Sequence, residues 1–250
     1  MHLIERGTGQ PVVLCIHGYC QAADYWAPTL DLLAGRGATG IAPDLPGFAR
    51  SAGEPGPYTM EGYADRLARF LDERGIGRIV LVGGSMGGVV AQYLALRHSA
   101  RVERLLLVAT GGFTADPPAA LARADAMEAA PWDAKAVEPI VNGFFLKPPA
   151  AERLARFREL AAMASKQAAL DAARSNARAR PFDQLDRIAV PTLIVQGRHD
   201  KARTPEHGAA MRERIPGARL EVIEGVGHTP QLEDPARFHE IALPFLLGRA

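Results

Sequence analysis

Three side chains in this sequence have the types and the order that nucleophilic acyl chemistry needs. Ser85 stands in VLVGGSMGGVVA, Asp200 closes LIVQGRHD, and His228 sits in EGVGHTPQLEDP. A serine hydroxyl is a weak nucleophile until a histidine takes its proton, and the histidine works best when a carboxylate holds its tautomer. Gly83 and Gly87 frame Ser85 in the pattern G-x-S-x-G, as a sharp turn from strand to helix requires. RIVLV before the turn and GVVAQYLAL after it supply that strand and helix. The turn lifts the hydroxyl above the sheet and leaves the first N–H groups of the helix free.

An attacked carbonyl becomes an oxyanion, which two backbone donors on different loops hold best. The N–H of Met86 is one candidate, and the N–H of Tyr19 in LCIHGYC is the other. Other readings of the glycines fail. A phosphate-binding loop needs Lys and Ser or Thr after its last glycine, but Val89 and Val90 follow Gly88. A dinucleotide fingerprint would need glycine at position 85. No cofactor is therefore implied, and no tight ligand motif suggests a metal.

Seven histidines compete for the role of base. His17 is read as a brace for its own loop, and His199 as pointing away from its neighbour Asp200. His2 is terminal, His98 ends a helix, and His207 and His239 lie in helices where solvated surface positions are expected. Asp234 is read as the N-cap of the last helix, with Pro235 at its first position. VATGGFTAD offers no carboxylate before Asp116, which strengthens Asp200 as the acid.

These residues must be positioned by the elements around them. The stretches PVVLCIH, ATGIAPD, RIVLVGG, RVERLLLVATGG, PTLIVQG and ARLEVIEG read as strands. Most are nearly continuous in Val, Ile and Leu, the pattern of parallel strands covered on both faces. Helices are expected at Tyr25–Leu33, Met60–Arg74, Met86–Leu96, Pro205–Arg214 and Pro235–Leu247. The alternation predicts an α/β fold, a mostly parallel central sheet flanked by helices. Residues 113–180 break the rhythm with helical patterning alone, Pro139 interrupting a single straight helix, and are read as a helical cap. Residues 1–112 and 181–250 then form the two parts of the core domain. Trp26, Trp132 and Phe144 are candidates for an apolar substrate-binding surface.

Composition narrows the partners. With 29 basic and 28 acidic residues among 250, the chain has no general attraction for nucleic acid. No apolar run is long enough to span a membrane, and MHLIERGTGQ lacks the pattern of a secretory signal, so a cytoplasmic protein is expected. Cys15 and Cys20 are read as reduced, buried thiols.

HGYC, PDLPGFARSAG, GGSMGG, GRHD and GVGHTPQLEDP, in that order, resemble the α/β-hydrolase superfamily over nearly the whole chain. The resemblance implies Ser85 as nucleophile, Asp200 as acid, His228 as base, and Tyr19 and Met86 as the oxyanion hole. It implies that the loop around Asp44, Gly47 and Ser51 borders and stabilises the site, with Arg50 either at the pocket entrance or in solvent. Serine at position 85 argues against the haloalkane dehalogenases and epoxide hydrolases, which use aspartate there. Small carboxylesterases, lactonases and cofactor-free perhydrolases are the resembling groups. The expected function is serine-dependent hydrolysis of an ester or lactone of a small, mainly apolar molecule. Carbon–carbon bond hydrolysis of ring-cleavage products, perhydrolysis and a non-catalytic receptor are the alternatives, and a homo-oligomer is compatible with all of them.

Overall fold

A computed structural model describes residues 1–249. Its strands are β1 (Leu3–Arg6), β2 (Val12–Ile16), β3 (Thr39–Pro43), β4 (Ile79–Gly84), β5 (Val102–Val108), β6 (Thr192–Gly197) and β7 (Arg219–Ile223). They form one sheet in the order β1-β3-β2-β4-β5-β6-β7, with β1 antiparallel to β3 and every other pair parallel. The six parallel strands occupy the six apolar stretches read from the sequence. The edge strand β1 was not among them: Leu-Ile-Glu-Arg is short, and its last two residues are exposed.

The helices are α1 (Ala27–Ala34), α2 (Met60–Glu73), α3 (Met86–Arg97), α4 (Pro117–Ala129), α5 (Ala134–Asn142), α6 (Ala151–Ala162), α7 (Lys166–Arg178), α8 (Pro205–Arg214), α9 (Pro230–Glu233) and α10 (Pro235–Leu246). Strand residues alternate between two cores because successive side chains point to opposite faces. Leu14, Leu81, Leu105 and Leu107 pack with Leu67 of α2, Val90 of α3 and Met211 of α8. Val13, Val80, Val82 and Leu106 pack with Leu30 of α1 and Phe238 of α10. With both faces covered, an unbroken apolar strand is stable where an alternating one would bury polar groups.

Four helices, α4 to α7, form the insertion between β5 and β6. Asp116 caps α4 by accepting from the N–H of Ala119 at 3.0 Å, and Asp133 caps α5 through the N–H groups of Lys135 and Ala136 at 2.9 and 3.0 Å. Helix α5 continues through Pro139. Proline removes one N–H and crowds the preceding turn, a tolerable loss in a short helix near the surface. The insertion docks on the core through aromatic rings: Phe157 stacks on Tyr25 with centroids 4.0 Å apart, and Phe145 stacks on the same ring at 6.4 Å. Backbone bonds reinforce this contact, the N–H of Ser165 donating to the carbonyl of Gly47 at 2.9 Å.

Because β2, β4, β5, β6 and β7 run parallel, their carboxyl ends open on one edge of the sheet. Tyr19, Ser85, Thr110, Asp200 and His228 all follow those ends. The insertion leaves from the same edge, directly after β5.

Candidate active site

The turn after β4 forces Ser85 into φ +52° and ψ −121°, a region that costs a non-glycine residue about 1–3 kcal/mol. Its surroundings hold it there. The N–H of Ser85 donates to the carbonyl of Val108 at 2.9 Å, and its own carbonyl accepts from the N–H of Gly88 at 3.0 Å and the hydroxyl of Thr110 at 2.6 Å. The flanking glycines are required by close approach. A Cβ at Gly83 would lie 2.4 Å from the carbonyl oxygen of Gly87, and one at Gly87 would lie 2.4 Å from that of His17.

The structure brings the three side chains into one hydrogen-bonded chain. His228 Nε2 lies 2.8 Å from Ser85 Oγ, and His228 Nδ1 lies 2.7 Å from Asp200 Oδ2. The other carboxylate oxygen of Asp200 accepts from the N–H groups of Ala202 and Arg203 at 2.8 and 2.9 Å. Asp200 and His228 are buried, at 3% and 7% exposure, which excludes competing water from their bond. With the proton on Nδ1 toward Asp200, Nε2 is left to accept from the serine hydroxyl, an arrangement that suits general-base chemistry.

The candidate oxyanion donors belong to two different segments. Met86 is the first residue of α3, and Tyr19 follows the end of β2; among the described residues, neither N–H donates to a protein acceptor. The loop carrying Tyr19 is fixed from within. The N–H of Gly18 donates to Gln21 Oε1 at 2.8 Å, His17 Nδ1 lies 2.8 Å from the carbonyl of Gly18, and His17 Nε2 accepts from the N–H of Leu45 at 2.8 Å. His17 thus braces two loops, and burial pulls its pKa below the ordinary value while Asp44 opposes the shift.

Ser85, Tyr19, Phe144 and His228 line a cavity of about 710 Å³ between the sheet edge and the insertion. The ring of Phe144 lies 5.8 Å from that of His228. Two tryptophans expected at this surface lie elsewhere. Trp26 is 1% exposed on the opposite core, 6.5 Å from Phe238 and beneath Gly84, so it supports the end of β4. Trp132 donates its indole N–H to the carbonyl of Ala164 at 2.8 Å, tying the insertion to itself. An apolar side chain serves either face of a sheet, so its type alone does not choose one.

Three further expectations are corrected. Arg50 is neither solvated nor at the entrance: it pairs with Asp24 and with buried Asp44, whose Oδ2 accepts from Arg50 Nε at 2.7 Å. Burial would raise the carboxyl pKa of Asp44, but Arg50, His17 and the N–H of Ala23 hold it below the ordinary value. His239 is buried against Thr29 Oγ1 at 2.9 Å, and His207 lines the cavity instead of facing solvent. The two cysteines are free and buried, and burial pushes the Cys20 thiol up to about 12.

Sequence reasoning passed over Glu233. One of its oxygens accepts from the N–H groups of Gly227, Leu146 and Lys147 at 3.1, 2.8 and 3.0 Å; the other accepts from the N–H and hydroxyl of Thr229 at 3.0 and 3.1 Å. One carboxylate therefore joins the loop of His228 to the insertion. Thr110 was also missed, although it too packs beside the turn: its carbonyl accepts from Gln196 Nε2 at 2.7 Å.

A sheet with one antiparallel edge strand, a strained serine turn after its central strand and an insertion over the carboxyl edge define a class of architecture. The chain belongs to the alpha/beta hydrolase fold family, whose profile matches residues 11–235. It is 32% identical to an uncharacterized protein of Mycobacterium tuberculosis over 96% of this chain and 76% of that one. It is 29% identical to a 2-hydroxy-6-oxononadienedioate/2-hydroxy-6-oxononatrienedioate hydrolase of Burkholderia vietnamiensis over 98% and 90%. Among solved structures, a thermophilic esterase from Thermogutta terrifontis superposes with a TM-score of 0.85 at 29% identity, covering 98% of this chain and 92% of that one. The enol-lactonase from Burkholderia xenovorans superposes with a TM-score of 0.88 at 26% identity, covering 98% and 95%. Among the described residues, no helix is long and apolar enough to cross a membrane, and no cluster of side chains could hold a metal ion.

Proposed function

We propose that this protein is a serine hydrolase that cleaves a carboxylic ester or lactone through an acyl-serine intermediate. The observation that carries this reading is the unbroken hydrogen-bond chain from Ser85 through His228 to Asp200, opening on a cavity large enough for a small molecule. His228 Nε2 takes the hydroxyl proton as Ser85 Oγ attacks the carbonyl carbon, and Asp200 stabilises the imidazolium that forms. The N–H groups of Tyr19 and Met86 donate to the oxyanion. Collapse of the tetrahedral intermediate breaks the carbon–oxygen bond, and His228 returns the proton to the leaving alkoxide. Water, deprotonated by the same histidine, then attacks the acyl-serine and releases the acid. Residues 113–180 serve as the cap that shapes the acyl and alcohol sites, with Phe144 as an apolar wall beside the base.

The similarity to the Burkholderia vietnamiensis hydrolase favours carbon–carbon bond hydrolysis as the second reading. Both readings use the same three side chains, so the substrate separates them. Aryl esters and lactones of increasing chain length, offered to the wild-type and Ser85→Ala proteins with intact mass followed in parallel, test the first. Turnover with a transient acyl adduct, lost by roughly four to six orders of magnitude in Ser85→Ala, is expected. Equal turnover by a folded Ser85→Ala protein would refute the assignment.

A further inference from the structure

A second wall of the same cavity has a different chemistry. Arg123 of α4, together with Lys201 and Arg203 from the loop after β6, lines it, and Asp116 is the lining carboxylate. Asp116 already caps α4. Among the described residues, none of the three cations lies within ion-pair distance of a carboxylate; Arg123 and Lys201 are exposed, but Arg203 is partly buried, and of the other partly buried arginines Arg50, Arg66, Arg101, Arg158 and Arg174 are paired and only Arg104 is not. The guanidinium of Arg203 makes one long hydrogen bond, from Nη1 to the carbonyl of Phe113 at 3.4 Å. Beside it, His207 Nε2 and Asn176 Oδ1 are buried with no partner.

A cation drawn out of water is costly unless an anion or several acceptors meet it. Asp200, the nearest carboxylate in chemical terms, is committed to His228 and to two N–H groups. Burial pulls the guanidinium of Arg203 below its ordinary pKa, with Asp200 only partly opposing, and both burial and Arg203 lower His207. These are the marks of a positive site whose counter-ion is absent from the protein itself.

We propose that this wall binds a carboxylate carried by the substrate, with Arg203 as its principal partner and Lys201 and Arg123 adding attraction. The inference rests on the ester or lactone reading and replaces its mainly apolar substrate with an anionic one. The acyl or alcohol portion lies along Phe144, Ile140 and Met127, and the charged end reaches Arg203.

The test pairs substrates that differ by one charge: monomethyl and dimethyl esters of straight dicarboxylic acids of four to eight carbons. The wild-type protein is expected to favour the monoester by about tenfold or more in kcat/KM at its best chain length. Arg203→Met is expected to bring that ratio toward one, and Arg203→Lys to keep part of it. Calorimetric titration of the wild-type protein and both variants with the free dicarboxylates reads the anion site without turnover. Hydrolysis of both esters with equal efficiency overturns the anion site and leaves the ester reading standing. Arg203-dependent binding of dicarboxylate without hydrolysis of either ester keeps the anion site and removes the ester reading. Dicarboxylate affinity that is equal in the wild type and in a folded Arg203→Lys or Arg203→Met protein overturns the anion site.

Discussion

The two walls of the cavity are built on opposite rules. On the Ser85 wall the side chains of the hydrogen-bonded chain are satisfied within the protein and, among the described residues, the N–H groups of Tyr19 and Met86 are left open. The carbonyl of Ser85 has two donors, both oxygens of Asp200 are engaged, and both ring nitrogens of His228 have partners. On the Arg203 wall the guanidinium has one long bond, and His207 Nε2 has none. Bonds completed inside the protein fix geometry before a ligand arrives, which is what reaction chemistry rewards. Bonds left open mark where a ligand completes the structure. On the proposed reading, the first wall is the part of the site that reacts and the second the part that selects.

Asp200→Asn offers the strongest challenge to that division. It keeps the shape of the completed wall but loses the tautomer control, and kcat is expected to fall by about 10⁴-fold. A loss under tenfold would mean that the completed wall is not the reacting one. Trp26→Ala probes support from behind the sheet: removing a ring buried at 1% exposure is expected to cost about 3–5 kcal/mol in urea unfolding. The chain-length preference of the residual activity should not move, and a shifted preference would return Trp26 to the substrate surface. Glu233→Gln must turn an amide NH₂ toward N–H donors on one of its two sides. A loss of about 2–3 kcal/mol in stability is expected, with kcat several-fold lower. Unaltered melting and turnover would show that the link between insertion and histidine loop is dispensable.

Acid titration gives the smallest effect. His17, His207 and His239 all have pKa values lowered by burial, so the unfolded chain binds protons that the native state refuses. Stability is full above the ordinary histidine value of about 6.5 and declines as pH falls below it. Urea midpoints measured from pH 8 to pH 5 check the sign, and a flat profile would contradict the neutral brace assigned to His17.

The parallel strands were readable because burial on both faces leaves little choice but Val, Ile and Leu. The serine turn was readable because tight packing admits only glycine at Gly83 and Gly87, and the order Ser85, Asp200, His228 follows from which strands end at the same edge. The insertion was only partly readable. Helix α4 is rich in alanine and buries Ala124 alone, so it shows little periodicity. The placement of Trp26 and Trp132 depended on which face their backbone presents, and composition carries no such information. His207 was misplaced because a helical histidine in a polar stretch resembles a surface residue until α8 is packed beside the cavity. Arg203 had a visible signal, a cation three positions after the carboxylate in GRHDKAR, but its lack of a partner exists only in three dimensions.

Glu233 also constrains how this scaffold can diversify. Its carboxylate is shared by the histidine loop and by Leu146 and Lys147 of the insertion, so the two segments fit each other as a matched pair. A chimera carrying a foreign insertion would keep the reacting wall only if the new chain offered two backbone N–H groups at the same place. Segment exchange to change selectivity should therefore carry residues 144–147 with the recipient and graft on either side of them.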